Sequence, residues 1–264
     1  MRFLLRWPNT LSFVLREHLR SADKTKNKAR STKLNKQTRR NMPPLIIAID
    51  GPSGSGKSTL GRLISRALKL LYLDTGSMYR AVALATLEAH IDPKDKDAVI
   101  KLAESLDINL EGDPDSLRTL IGARDVSELI RTEAVTEMSS IVSTIPGVRR
   151  AMVARQRELG RRGAVLNGRD ITTVVFPDAD YKFFLTADAR ERAQRRFLEE
   201  YANHPETTLA ETLADMTERD NRDMTRADSP LKIAHDAIVI DSTGKTIEQV
   251  FQEMMAKIKE DSQV

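Results

Sequence analysis

Residues Leu45-Ile46-Ile47-Ala48-Ile49 are apolar without alternation, as in a parallel strand covered on both faces. Leu60, Leu63, Ile64, Ala67 and Leu68 follow at i, i+3, i+4, i+7 and i+8, the spacing of one buried helix face. Leu71-Tyr72-Leu73-Asp74-Thr75 reads as a second short strand with a polar tip. Gly76 to Arg80 opens a helix that carries Ala81, Val82, Leu84, Ala85 and Leu87. The pattern then predicts a helix over 95–106, a strand over 108–111, a turn at Gly112-Asp113-Pro114-Asp115 and a strand over 117–121. A long helix is predicted from Pro146 to about Arg162, since proline at the first helical position loses no hydrogen bond. Three further strand signals are Ala164-Val165-Leu166, Tyr181-Lys182-Phe183-Phe184-Leu185 and Ala237-Ile238-Val239-Ile240.

This alternation predicts an α/β fold, a parallel sheet with helices on both faces. Ligands of such sheets bind beyond the carboxyl ends of the strands. Thr75, Arg169 and Asp170 lie just past such ends. The unit from about 92 to 145 is not needed by the β-α series. It reads as an insertion, suited to holding a second substrate.

The chain has 264 residues, 40% of them hydrophobic and 30% charged, which places it among soluble globular proteins. No apolar run reaches the ~20 residues that span a bilayer, so no membrane role is expected. With no cysteine, disulfides and cysteine chemistry are excluded, and a cytoplasmic location is expected. His18, His90, His204 and His235 show no ligand spacing.

Charge is unevenly spread. Residues 1–41 hold twelve Lys or Arg against Glu17 and Asp23, a net +10, so the remainder carries −6 of the total +4. The basic character therefore belongs to the extension, and it implies no nucleic-acid role for the rest. Residues 21–41 have little to bury and are expected to be disordered. The extension reads as a solvated basic arm, as residues upstream of a start at Met42, or as a targeting peptide.

The chemistry begins after the first strand. Gly51-Pro52-Ser53-Gly54-Ser55-Gly56-Lys57-Ser58-Thr59 fits G-x-x-x-x-G-K-[ST] between a strand and a helix. Glycines let the backbone turn its N–H groups toward phosphates. Lys57 is placed to reach the β- and γ-phosphates of ATP, and the Ser58 hydroxyl to ligate Mg²⁺. The following helix adds its positive end.

Phosphoryl transfer needs positive charge around the transferred group. Arginines recur at 80, 131, 149, 150, 169, 192, 195, 196, 219, 222 and 226. For Arg192, Arg195 and Arg196 a solvated helix face is an equal reading. In Glu218 to Arg226, Arg219, Asp223 and Arg226 share one helical face, and Asp223 could hold both arginines. The segment reads as an ion-pair ladder or as a mobile lid that excludes water.

Together, Gly51 to Lys57, Leu73-Asp74-Thr75-Gly76 with Tyr79-Arg80, Asp125-Val126-Ser127 with Ile130-Arg131-Thr132, Gly168-Arg169-Asp170 with Val174-Val175-Phe176-Pro177, and Glu218-Arg219-Asp220 through Pro230-Leu231 resemble bacterial cytidylate kinases in order and spacing. The resemblance spans about 44–258. It implies a P-loop NTPase-type sheet flanked by helices, within a kinase domain over 42–264. It also implies an inserted CMP-binding subdomain at about 92–145 and a short lid at about 216–231. The implied reaction is ATP-dependent, Mg²⁺-dependent phosphorylation of CMP or dCMP by a monomer. By matched position, Thr75, Arg80 and Arg169 hold the CMP phosphate. Ser140, Arg149, Asp170 and Arg226 read cytosine, and Arg219 and Asp223 hold the ribose. Lys57, Arg169 and Arg219 serve catalysis.

Two positions depart from the family pattern. Thr172 stands where glycine is usual, and a side chain there is expected to crowd the phosphates or alter the loop. Asn167 stands where aspartate is common. Competing classes are a kinase for another nucleoside monophosphate or small hydroxyl, a P-loop regulator, and a nucleic-acid binder acting through the basic extension. The regulator reading lacks an Asn-Lys-x-Asp guanine reader.

Overall fold

The computed structural model describes residues 44–200 and 207–260. The expectations for residues 1–41 lie outside the described residues. Strand β1 (Ile46–Asp50) is the centre of a five-stranded sheet. It pairs in parallel with β6 (Ala164–Gly168) on one side and β7 (Tyr181–Thr186) on the other. Strand β2 (Leu71–Asp74) flanks β6, and β8 (Ile238–Asp241) flanks β7.

The two faces of β1 separate two cores, because successive strand side chains point to opposite sides. Ile47 and Ile49 cluster with Leu60 and Ile64 of α1 (Lys57–Leu68) and with Val250 and Met254 of α8 (Ile247–Glu260). Ala48 clusters with Met78 and Val82 of α2 (Thr75–Glu88) and with Val148 and Met152 of α5 (Pro146–Gly160). The unbroken apolar run at 45–49 thus reflects burial on both sides.

The buried face of α1 differs from the sequence expectation. Ala67 is exposed, and Gly61 and Ser65 are buried instead. A Cβ on Gly61 would lie 2.8 Å from the Tyr72 ring, and the Ser65 hydroxyl donates to the Leu70 carbonyl. The helix is rotated by its close approach to β2.

The expected helix–strand–turn–strand unit is present as α3 (Lys96–Ser105), β3 (Ile108–Glu111) and β4 (Arg118–Ile121). A third short strand, β5 (Arg124–Asp125), extends this antiparallel sheet. Helix α4 (Glu133–Val142) follows and packs against α2. Beyond β7 come α6 (Ala189–Glu200) and α7 (Leu209–Thr225). A capping box between Thr208 and Glu211 starts α7. Among the described residues no helix is long and apolar enough to cross a membrane.

Candidate active site

The loop between β1 and α1 is built around left-handed glycines. Gly51, Gly54 and Gly56 have φ of 145°, 70° and 92°. A Cβ at Gly51 would sit 2.0 Å from the Leu185 carbonyl oxygen, so only glycine fits there. Gly56 caps α1 with no side-chain bond, which leaves first-turn N–H groups available to an anion. Lys57 curls back over the loop. Its Nζ donates to the Pro52 carbonyl at 2.6 Å and to Ser55 Oγ at 3.3 Å.

Strands β1 and β6 run side by side, with Asp50 in register with Gly168. The glycine loop and the segment Arg169-Asp170 therefore leave adjacent strands at the same level. A single π-helical turn, Ile171–Val175, follows. At the neighbouring strand end, Thr75 Oγ1 donates to the Asn167 carbonyl at 2.8 Å. Arg169 Nε donates to Asp223 Oδ2 of α7 at 2.7 Å. Arg149 Nη2 pairs with Asp170 Oδ2, both residues nearly fully buried, and its guanidinium lies 5.4 Å from the centre of the Tyr79 ring. Arg226 Nη2 stands 3.9 Å from Asp170 Oδ1.

Like charges converge between these two loops. Burial, then Arg169 and Arg219, pushes the Lys57 ammonium well below its usual value. Burial, then Arg169 and Arg80, lowers the Arg219 guanidinium to about 10. Burial, with Arg196, Arg131 and Arg169, lowers Arg80, and Asp74 opposes this. Arg169 is the exception. Burial lowers it, but Asp223 more than compensates and holds it above the usual value. Cations that raise each other's energy in a desolvated cleft form a site for a polyanion.

The comparisons with known proteins bear on which polyanion. Residues 47–260 match the family model described as Cytidylate kinase. A cytidylate kinase of Geobacter sp. (strain M21) is 47% identical over 217 residues, covering 82% of this chain and 93% of that protein. That of Syntrophotalea carbinolica is 45% identical over 83% of this chain and 94% of its own length. The one from Halalkalibacterium halodurans is 42% identical, over 83% and 99%. The chain belongs to the cytidylate kinase family.

Within that family frame, several positions make contacts that local spacing does not specify. Asp223 takes Arg169 and Arg226, at 2.7 and 3.3 Å, whereas the spacing suggested Arg219 and Arg226. Helix α7 stops at Thr225, so Arg226 turns off the helix and donates its Nε to the Ser229 carbonyl. Ser140 Oγ accepts from Arg222 at 2.8 Å, which ties α4 to α7. Arg192 is no solvated face. Its Nη1 donates to the Ser53 carbonyl and to Asp220. Thr172 does not crowd the phosphate side, because its side chain is buried against Asp50.

Mg²⁺ is a hard cation that prefers oxygen donors and keeps most of its ligands as water or phosphate. The residues present fit it. Asn167 Nδ2 donates to Ser58 Oγ at 3.1 Å, and Asn167 Oδ1 is buried without a hydrogen-bond partner. No group of three acidic or His residues competes among the described residues.

Proposed function

We propose that this chain transfers the γ-phosphoryl group of ATP to CMP or dCMP, giving ADP and CDP or dCDP. The observation that carries the reading is the convergence of Lys57, Arg80, Arg169 and Arg219 between two loops that leave adjacent strands. One loop suits a triphosphate, and the other ends in the buried Arg149–Asp170 pair.

An oxygen of the CMP phosphate attacks the γ-phosphorus, and the bond from that phosphorus to the β-bridging oxygen breaks as ADP leaves. The N–H groups at the start of α1 hold the ATP phosphates. Lys57 swings from the Pro52 carbonyl to the phosphates, whose charge favours its ammonium form. Thr75, Arg80 and Arg169 orient the acceptor phosphate, and Arg169 and Arg219 neutralise the oxygens in transfer. Asp223 positions Arg169 and holds the ribose beside Arg219. Asp170 accepts from the cytosine amino group, and Ser140, Arg149 and Arg226 complete the base pocket. Ser58 and Asn167 would hold Mg²⁺, which when bound neutralises phosphate charge. The segment at 216–231 closes as a lid to keep water from the donor.

The test is ADP release measured with CMP, dCMP, UMP, AMP and GMP as acceptors. The reading requires CMP and dCMP to show the largest kcat/KM. A larger value for UMP, AMP or GMP overturns it.

A further inference from the structure

Asp50 closes β1 and directly precedes Gly51 of the phosphate loop. It is fully buried. Its oxygens accept three bonds from one short segment: Ile171 N at 3.0 Å, Thr172 N at 2.7 Å and Thr172 Oγ1 at 2.7 Å. The two N–H groups begin the π-helical turn, where no preceding backbone carbonyl satisfies them. A buried carboxylate is costly unless hydrogen-bonded, and here the bonds come from a loop rather than from a paired cation.

We propose that Asp50 is a positioning residue for the phosphoryl acceptor, and that the Thr172 hydroxyl completes its grip on the loop that carries Arg169 and Asp170. The inference rests on reading that loop as the CMP site. Asp50 has no solvent access, so it acts through the loop rather than on substrate. Its own backbone sets the start of the phosphate loop, so one side chain keeps the acceptor loop in register with the donor loop. Thr172 is itself 1% exposed, so its hydroxyl has no competing water.

The groups facing Asp50 set how this grip responds to pH. Burial raises the carboxyl most and Asp170 adds to it, while Thr172 and Ile171 act in the opposite direction. Lys57, at the start of α1, and Arg169, in the loop, each sense the Asp50 charge. A protonated Asp50 presents an O–H where it must accept, and it loses part of the loop. Removing the Thr172 hydroxyl leaves Asp50 protonated to higher pH.

The experiment compares Thr172→Val, Thr172→Ser and Asp170→Ala with the full chain, using KM for CMP, KM for ATP, kcat and a pH profile. Valine matches threonine in shape and lacks the donor; serine keeps it. Thr172→Val is expected to raise KM for CMP about tenfold, the scale of one hydrogen bond to a charged group. It leaves KM for ATP unchanged and moves the acid limb of kcat/KM for CMP to higher pH. Titration of CMP itself is common to all variants, so the displacement between variants is the readout. Thr172→Ser behaves as wild type. If Thr172→Val fails to fold, Thr172→Ala removes the same hydroxyl with less bulk. Wild-type behaviour of the hydroxyl-less variant, or an equal rise in both KM values, overturns the positioning role. If Asp170→Ala weakens CMP and Thr172→Val does not, only the Asp50 grip falls. If Asp170→Ala also leaves CMP kinetics intact, the reading of the loop as the CMP site falls with it.

Discussion

The carboxylate of Asp220, on α7, accepts the backbone N–H of Ser53, in the phosphate loop, at 3.0 Å. Its second oxygen takes Arg192 Nη1 at 2.6 Å, and the same Nη1 reaches the Ser53 carbonyl at 2.8 Å. One carboxylate and one guanidinium thus fasten α7 and α6 to both backbone groups of a single loop residue. The two side chains are 6% and 12% exposed, so removing one partner strands a largely desolvated charge. Asp220→Ala is expected to cost about 3 kcal/mol in urea unfolding. A loss below about 1 kcal/mol, the range of exposed pairs, means the contact does not fasten the lid.

Lys57→Ala is expected to lower kcat by at least ~10²-fold while the protein stays folded. Among the described residues Lys57 Nζ bonds to Pro52 and Ser55 of its own loop and to neither core cluster. Its removal therefore leaves the sheet intact and takes a positive charge from the transferred phosphate. Near-wild-type turnover of a variant with unchanged circular dichroism removes Lys57 from transfer.

The inner strands of the main sheet were legible because burial on both faces leaves an apolar run such as Leu45 to Ile49. Helix α4 was missed although Val135, Met138 and Val142 stand at i, i+3 and i+7, because the buried i+4 position of that face is Ser139 rather than an apolar residue. In the site, Thr75, Arg169 and Asp170 were readable from position alone, just past strand ends. Asp50, Arg192, Asp220 and Arg222 were not. Their partners lie 122, 139, 167 and 82 residues away in the chain, and nothing in local spacing specifies such pairs. Asp50 gave one local signal, a carboxylate ending an apolar run. The i,i+4 rule named Arg219 for Asp223, but Arg169, just past the end of β6, bonds that carboxylate.

Asp170→Ala is expected to lower the CMP/UMP ratio of kcat/KM by ~1–3 kcal/mol, the range of a side chain that reads one base edge. Cytosine presents an amino donor where uracil presents an acceptor, so a carboxylate favours the first and repels the second. The variant also frees Arg149, already bonded to the Ser143 carbonyl, to approach uracil. A ratio equal to wild type takes Asp170 out of base reading.

Asp50 links the loop geometry to stability. Burial raises its carboxyl from 3.8 to about 6 in the folded protein, so folding favours the protonated form between those values. The native state then binds more protons than the unfolded chain, and stability falls as pH rises through that interval. The contribution is complete below pH ~4 and is lost above about 6, a change of roughly 3 kcal/mol. Asp50→Asn has no proton to lose. The difference in unfolding free energy between wild type and Asp50→Asn should therefore shrink by that amount from pH 4 to pH 7.5, measured in urea at each pH. Other titrating groups are shared by the two proteins and cancel to first order. A difference that stays constant with pH means that Asp50 ionises normally in the fold. The three bonds from Ile171 and Thr172 would then compensate its burial in full.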